Sequence, residues 1–166
     1  MASTIEVLIP HFNGPERRDA FERMGGFDES IFAYLEDADL AIRMRLEGMV
    51  IGFAPDAIVW HEHSATLGSG SAAKNELMGY SRRYLLWKHG RGLSPGRRLQ
   101  AHLTDTVVYL GKAAIDRNLG AVRGHVRAWR EHRGQPRPVA DPGFESLPFL
   151  ELGPFEALAR RLDRRR

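Results

Sequence analysis

The sequence predicts an α/β fold with a small sheet in its first half and a mostly α-helical second half. Three short apolar runs, at residues 5–9, 49–54 and 57–60, have the length and composition of buried strands. Residues 99–117 and 119–132 instead repeat apolar side chains every three or four positions, which is the spacing of an amphipathic helix. Strand-length runs followed by helical periodicity are therefore the basis of the prediction.

Further helices are predicted on either side of the middle strands. Residues 16–24 form one, which Gly25-Gly26 ends. Residues 36–47 form another, because acidic side chains at its start suit the positive end of the helix dipole and Gly48 is a natural residue to follow its C-terminus. A third, at residues 75–89, opens the helical half.

Composition and charge divide the chain further. We expect an α/β core at 1–92, amphipathic basic helices at 93–133, and a tail with a short terminal helix at 134–166, where five prolines interrupt regular structure. The net charge of +3 hides an imbalance, since residues 1–64 carry −7 and residues 65–166 carry +10. The basic half is thus expected to face something anionic.

Several classes of protein are excluded by what the sequence lacks. Its 166 residues contain no cysteine, which rules out disulfides, zinc–thiolate sites, iron–sulfur clusters and cysteine nucleophiles. Its apolar runs are far shorter than the ~20 residues that span a bilayer. We expect a soluble cytoplasmic protein, or one peripheral on the inner face of the cell membrane. The basic helices match no nucleic-acid-binding module, so no nucleic-acid partner is expected.

Three carboxylates fall within four residues at Glu36, Asp37 and Asp39. Their mutual repulsion raises the cost of ionising all three, so that one of them is a candidate general base. The alternative is a plain acidic first turn of a helix. In either case Asp39 and Arg43 lie one helical turn apart and are expected to form an ion pair.

Two other features allow both a functional and a structural interpretation. His61 and His63 follow a predicted strand, and alternate strand residues share a face, so their imidazoles are candidates to bind a metal ion. A hydrogen-bonded loop is the alternative. Gly25-Gly26 either ends a helix or lets the backbone approach a substrate closely.

Taken in order, these segments resemble the acceptor half of family-2 glycosyltransferases, and especially the rhamnosyltransferase-like branch. The resemblance covers residues 17–90. It rests on the ordered motifs Gly25-Gly26-Phe27-Asp28, Glu36-Asp37-x-Asp39, the segment ending in Trp60-His61, and Tyr84-Leu85-Leu86-Trp87-Lys88-His89.

The resemblance implies a remnant of a GT-A-like nucleotide-sugar-transferase fold, and an inverting transfer of sugar from a nucleotide-sugar to a lipid-linked or polysaccharide acceptor. It makes Asp37 the base that deprotonates the acceptor hydroxyl, and Glu36 its neighbour and acceptor contact. His61 would help to bind the Mg²⁺ or Mn²⁺ that stabilises the departing diphosphate. The acceptor pocket would be lined by Gly25, Gly26, Phe27 and Asp28.

One part of the family pattern is missing. Residues 7–14 resemble the family's first strand and turn, yet the motifs that start at Arg18 follow almost at once, without the donor-binding region and its Asp-x-Asp. We therefore expect an incomplete enzyme that does not transfer sugar alone, with the donor half excised or supplied by a partner chain. The alternative is a non-catalytic module derived from such an enzyme, which binds an anionic membrane surface or a partner through residues 75–133.

Overall fold

A computed structural model describes residues 3–10, 17–49, 51–61, 67–68 and 70–147. The chain divides into two compact units, Met1–Ser69 and Gly70–Arg166. The elements of the first unit are β1 (Ser3–Pro10), α1 (Arg17–Arg23), α2 (Glu36–Leu46) and β2 (Ile51–His61). The second unit holds α3 (Ala72–His89), α4 (Pro95–Asp116) and α5 (Gly120–His132), with 3-10 turns at Gly90–Gly92 and Pro142–Ser146.

The predicted α/β fold class is wrong. Most of the described residues are helical, and β1 and β2 pair antiparallel with each other, with Ser3 opposite His61 and Pro10 opposite Ile51. Neither strand has a second neighbour within the described ranges, so this ribbon is not the layered sheet of a GT-A-like remnant. A parallel α/β sheet needs several strands with helices on its faces. Two strands lacking such neighbours can pair only as a ribbon.

The apolar runs predicted as separate middle strands also differ from the structure. Both lie within the single strand β2. The pairing is irregular between Glu6 and Leu8 of β1, whose partners are Ile58 and Phe53. The residues around Pro55 are thus accommodated by a shift in register, since proline cannot donate a ladder hydrogen bond.

The predicted helices are confirmed within a few residues of their ends. α3 starts at Ala72, because the Ser71 hydroxyl accepts a hydrogen bond from the Lys74 amide at 3.2 Å. α4 starts at Pro95, a residue suited to the first turn of a helix. None of the described helices is both long and apolar enough to cross a membrane. The predicted terminal helix of the tail lies outside the described residues, and the predicted boundaries at 92 and 133 stay predictions.

α3 and α5 pack with their backbones in contact. A Cβ atom added to Gly79 of α3 would lie 2.1 Å from the Ala121 carbonyl oxygen, and one added to Gly124 of α5 would lie 1.9 Å from the Glu76 carbonyl oxygen. These separations are far below any van der Waals contact, so glycine is the one residue that fits. Ala121 and Ala128 extend the same buried face of α5.

The core of the helical unit is built from α4 and α5. Val108 and Tyr109 of α4 are buried against Ala121, with Val122 packed at the edge of this cluster. Several other large apolar residues of this unit are exposed, namely Leu99, Leu103 and Leu110 of α4, Leu119 just before α5, and Trp129 of α5. The buried face of α5 is therefore made of glycine and alanine, whereas that of α4 includes Val108 and Tyr109.

The close α3–α5 contact predicts a large effect for a small substitution. Gly124→Ala should lower the free energy of unfolding by about 3 kcal/mol, because the added methyl group forces the two backbones apart. Gly96→Ala is the matched control, since a Cβ there has no atom within 4 Å. That variant should be unchanged, or more stable by up to about 1 kcal/mol. Urea unfolding followed by circular dichroism measures both, and equal stability of the two variants would disprove the contact.

Candidate active site

The backbone is strained immediately before the predicted catalytic pair. Tyr34 and Leu35 lie in the left-handed region, with φ of 67° and 69°, and Glu36 then begins α2. For residues other than glycine this backbone conformation costs roughly 1–2 kcal/mol each. Strain of this kind concentrates at functional sites, where the surrounding structure enforces it. No pattern in the sequence indicated it.

Glu36 and Asp37 occupy the first turn of α2, as the acidic-turn interpretation predicted. Asp37 is exposed, and its Oδ1 atom accepts a hydrogen bond from the Ala38 amide at 2.8 Å. Glu36 is partly buried, and its Oε2 atom is enclosed without a hydrogen-bond partner among the described residues. One carboxylate is thus open to a substrate, while the other has an unmet capacity to accept a hydrogen bond.

Arg43 connects α2 to the turn that follows α1. Its Nε atom donates to Asp39 Oδ2 at 2.8 Å, which confirms the predicted ion pair. Its Nη2 atom donates to the Gly26 carbonyl oxygen at 2.7 Å, and its Nη1 atom donates to that of Met24. The Asp39 side chain is completely buried and that of Arg43 is 19% exposed. Sequence reasoning found the pair but missed the two carbonyl contacts, which join residues far apart in the chain.

The turn at Gly25-Gly26 ends α1. Both glycines have positive φ, 72° and 71°, and their amides donate to the carbonyl oxygens of Glu22 and Phe21 at 2.9 and 3.0 Å. This is the helix-stop arrangement that glycine favours. The turn therefore has a structural role, and through Arg43 it is also fixed against α2.

The next two residues continue from this turn. Phe27 packs edge-on against Phe21, with ring centroids 5.3 Å apart, and half of its surface stays exposed. The Asp28 carboxylate accepts a hydrogen bond from the Ser30 amide at 2.9 Å. The structure thus brings Gly25-Gly26 and α2 together through Arg43, with an exposed aromatic ring directly after the glycines.

The predicted metal ligand, His61, belongs to β2. His61 is the last residue of β2, opposite Ser3, and the structure describes its backbone alone; His63 lies outside the described residues. Within the described ranges, no three histidine, aspartate or glutamate side chains come together as a metal site. The described residues therefore do not supply a ligand set for Mg²⁺ or Mn²⁺, and the role of His61 stays a prediction.

Comparison with known proteins relates the chain to glycosyltransferases. It is 32% identical over 111 residues to the N-acetylglucosaminyl-diphospho-decaprenol L-rhamnosyltransferase of two strains of Mycobacterium tuberculosis. The match takes in 67% of this chain and 27% of each relative, so the chain matches about a quarter of their length. No protein-family model and no solved structure matches. The predicted relationship to glycosyltransferases is confirmed.

Removal of the Arg43 guanidinium should lower the free energy of unfolding far more than removal of an exposed arginine in an ion pair of the same spacing. Arg43→Gln leaves the buried Asp39 carboxylate without its ion-pair partner, and we expect a loss of about 3 kcal/mol in unfolding free energy. Arg18→Gln breaks the ion pair between Arg18 and Glu22, which are also one helical turn apart and 2.8 Å from each other. The side chains of this pair are 86% and 58% exposed. That variant should lose less than about 0.5 kcal/mol. Urea unfolding of both tests the difference, and similar losses would contradict this role for Arg43.

Proposed function

We propose that this chain provides the acceptor side of an inverting glycosyltransferase, with Asp37 as the general base. In the proposed reaction an acceptor hydroxyl oxygen bonds to the anomeric carbon of the donor sugar as the bond to the nucleoside diphosphate breaks. Asp37 takes the hydroxyl proton. The observation that carries the proposal is the exposed Asp37 carboxylate at the start of α2, the helix that Arg43 fixes to the glycine turn.

The neighbouring residues support acceptor binding. Glu36 lies next to Asp37 in the first turn of α2 and is partly exposed, so that its carboxylate can accept a hydrogen bond from a sugar hydroxyl. The half-exposed ring of Phe27 offers an apolar surface for the face of a sugar. We therefore assign the acceptor pocket to Glu36 and Phe27 together with Gly25, Gly26 and Asp28.

The substrate classes follow from the relatives. Their name describes transfer of L-rhamnose to N-acetylglucosaminyl-diphospho-decaprenol. By analogy, we propose a nucleotide-sugar donor and a lipid-linked saccharide acceptor that carries a diphosphate. The sequence between Gly14 and Arg18 has no room for an Asp-x-Asp motif. We propose that a partner chain supplies donor binding, and that this chain alone transfers no sugar.

A chimera tests the role of Asp37. The segment of the M. tuberculosis relative that matches this chain is replaced by the corresponding residues of this chain, so that the relative supplies the donor side. Asp37→Asn in the chimera should lower the rate of rhamnose transfer by about 10²–10⁴-fold, because the carboxamide cannot accept the proton. Asp19→Asn, an exposed carboxylate of α1, is the matched control and should leave the rate unchanged.

Transfer of radiolabelled rhamnose to a prenyl-diphosphate-linked N-acetylglucosamine is the readout, with circular dichroism to confirm folding. Equal rates in the two variants would contradict the role of Asp37. A folded but inactive chimera would contradict the acceptor-side assignment. Transfer by this chain alone would contradict the need for a partner.

A second candidate function is attachment to an anionic membrane surface, and the exposed faces of α4 and α5 favour it. Leu99, Leu103 and Leu110 share one face of α4 and are 60%, 54% and 62% exposed. The two acidic residues of α4, Asp105 and Asp116, are buried in ion pairs away from this face.

The exposed face of α5 combines apolar and basic residues. Leu119 and Trp129 are 55% and 42% exposed, and Arg123 and Arg130 are exposed beside them. The Arg133 guanidinium lies over the Trp129 ring, 5.1 Å from its centroid. A tryptophan and leucines flanked by arginines match the boundary between acyl chains and anionic headgroups.

Flotation with lipid vesicles tests membrane attachment. The protein should float with phosphatidylglycerol vesicles and much less with phosphatidylcholine vesicles. Leu103→Glu should lower the apparent affinity by about tenfold or more, since it replaces a leucine that would enter the lipid by a carboxylate, which the anionic surface repels. Val139→Glu is the control, because Val139 is 93% exposed and lies outside both helices. Equal flotation with both lipids, or equal losses in both variants, would contradict this function.

A further inference from the structure

An ion pair between Arg82 and Asp105 joins α3 to α4. Arg82 donates through Nε to Asp105 Oδ1 at 2.7 Å and through Nη2 to the same oxygen. The Asp105 side chain is 4% exposed. Burial opposes the charge of Arg82, but Asp105 and Tyr109 outweigh it and raise the pKa of Arg82. The Asp105 carboxylate is therefore neutralised by Arg82.

Arg83, the next residue in the chain, has an N–H donor without an acceptor among the described residues. Arg83 Nη1 lies 3.4 Å from His102 Nδ1 of α4, and Arg83 Nε is enclosed without a hydrogen-bond partner among the described residues. Arg98 shows the same pattern, because its Nη2 atom donates to the Leu93 carbonyl oxygen at 3.1 Å while its Nε atom is enclosed and unpartnered. Unmet guanidinium donors in a partly buried place are costly unless an acceptor is supplied.

Burial and positive charge both act on the His102 imidazole. Burial, and then Arg83, Arg137 and Arg98, lower the pKa of His102, while Asp105 acts in the other direction. Burial and Arg137 also lower the pKa of Arg83. Arg83 thus lies beside the imidazole, Arg98 lies one helical turn before it on α4, and the Asp105 carboxylate is already bound to Arg82.

Guanidinium donors that lack acceptors suit the binding of a multiply charged oxyanion. Guanidinium forks match the geometry of phosphate oxygens, and charge-assisted bonds of this type are the strong ones. A single carboxylate would neutralise only part of the excess charge, whereas a phosphate group carries up to two charges and several acceptor oxygens. We propose that Arg83, Arg98 and His102 of the helical unit form a binding site for a phosphate group.

The site is tested by NMR titration of the His102 side chain with inorganic phosphate, and with sodium chloride at matched ionic strength. Phosphate should give a saturable shift and should raise the pKa of His102, because an anion stabilises the imidazolium. Chloride should do neither. A soluble short-chain phosphatidic acid is the second probe. Binding of inorganic phosphate alone points to a free phosphate compound, and stronger binding of the phosphatidic acid points to a lipid headgroup; both support a phosphate site.

Arg83→Gln should weaken phosphate binding about tenfold or more, through loss of a charge-assisted pair. Arg45→Gln, at an exposed arginine of α2, makes the same change in net charge and should leave binding within about twofold of the unchanged protein. Equal weakening by both variants, or a wild-type response to phosphate no different from that to chloride, would overturn the proposal. The titration of the unchanged protein tests the phosphate site even if Arg83→Gln does not fold.

Discussion

The candidate site depends on one guanidinium group. Arg43 pairs with the buried Asp39 carboxylate and at the same time donates to two backbone carbonyls of the turn after α1. Neither group is stable alone in this place, since a buried carboxylate needs a cation and buried carbonyls need donors. Only the fork of an arginine serves all three acceptors at once. The helix that carries Glu36 and Asp37 is thereby fixed to the residues assigned to acceptor binding.

The helical unit is organised by a different constraint. Because Gly79 and Gly124 bring the backbones of α3 and α5 into contact, the buried surface between these helices has little room for large side chains. Four leucines and Trp129 in the described part of this unit are exposed. Arg83 of α3 lies 3.4 Å from His102 of α4, and Arg98 lies one helical turn before His102. These exposed and partly buried groups are the ones assigned to the two surfaces proposed for lipid and phosphate.

Local features could be predicted from the sequence, and features set by distant contacts could not. The bounds of α2 and the Asp39–Arg43 pair follow from spacing within one helix. The bonds from Arg43 to the Met24 and Gly26 carbonyls, and the left-handed backbone at Tyr34 and Leu35, depend on tertiary context that no periodicity contains.

The same limit explains the larger errors. The apolar runs lie in strands, but two of the three belong to the single strand β2, and nothing in them specified that β1 pairs antiparallel with β2 alone among the described residues, so the fold class was wrong. Helical periodicity located α5 without showing that its glycine and alanine face, rather than its larger apolar residues, is the buried one. Asp37 itself was found through the resemblance, and its role stays a proposal.

Amide hydrogen exchange in the unchanged protein and in Arg43→Lys tests most directly whether Arg43 holds the site together. Lysine keeps the charge but cannot serve three acceptors. We expect exchange at Gly25, Gly26 and the first turns of α2 to rise by about 10-fold or more in the variant, and exchange in α3, α4 and α5 to stay the same. Unchanged protection at the glycine turn and in α2 would contradict the account.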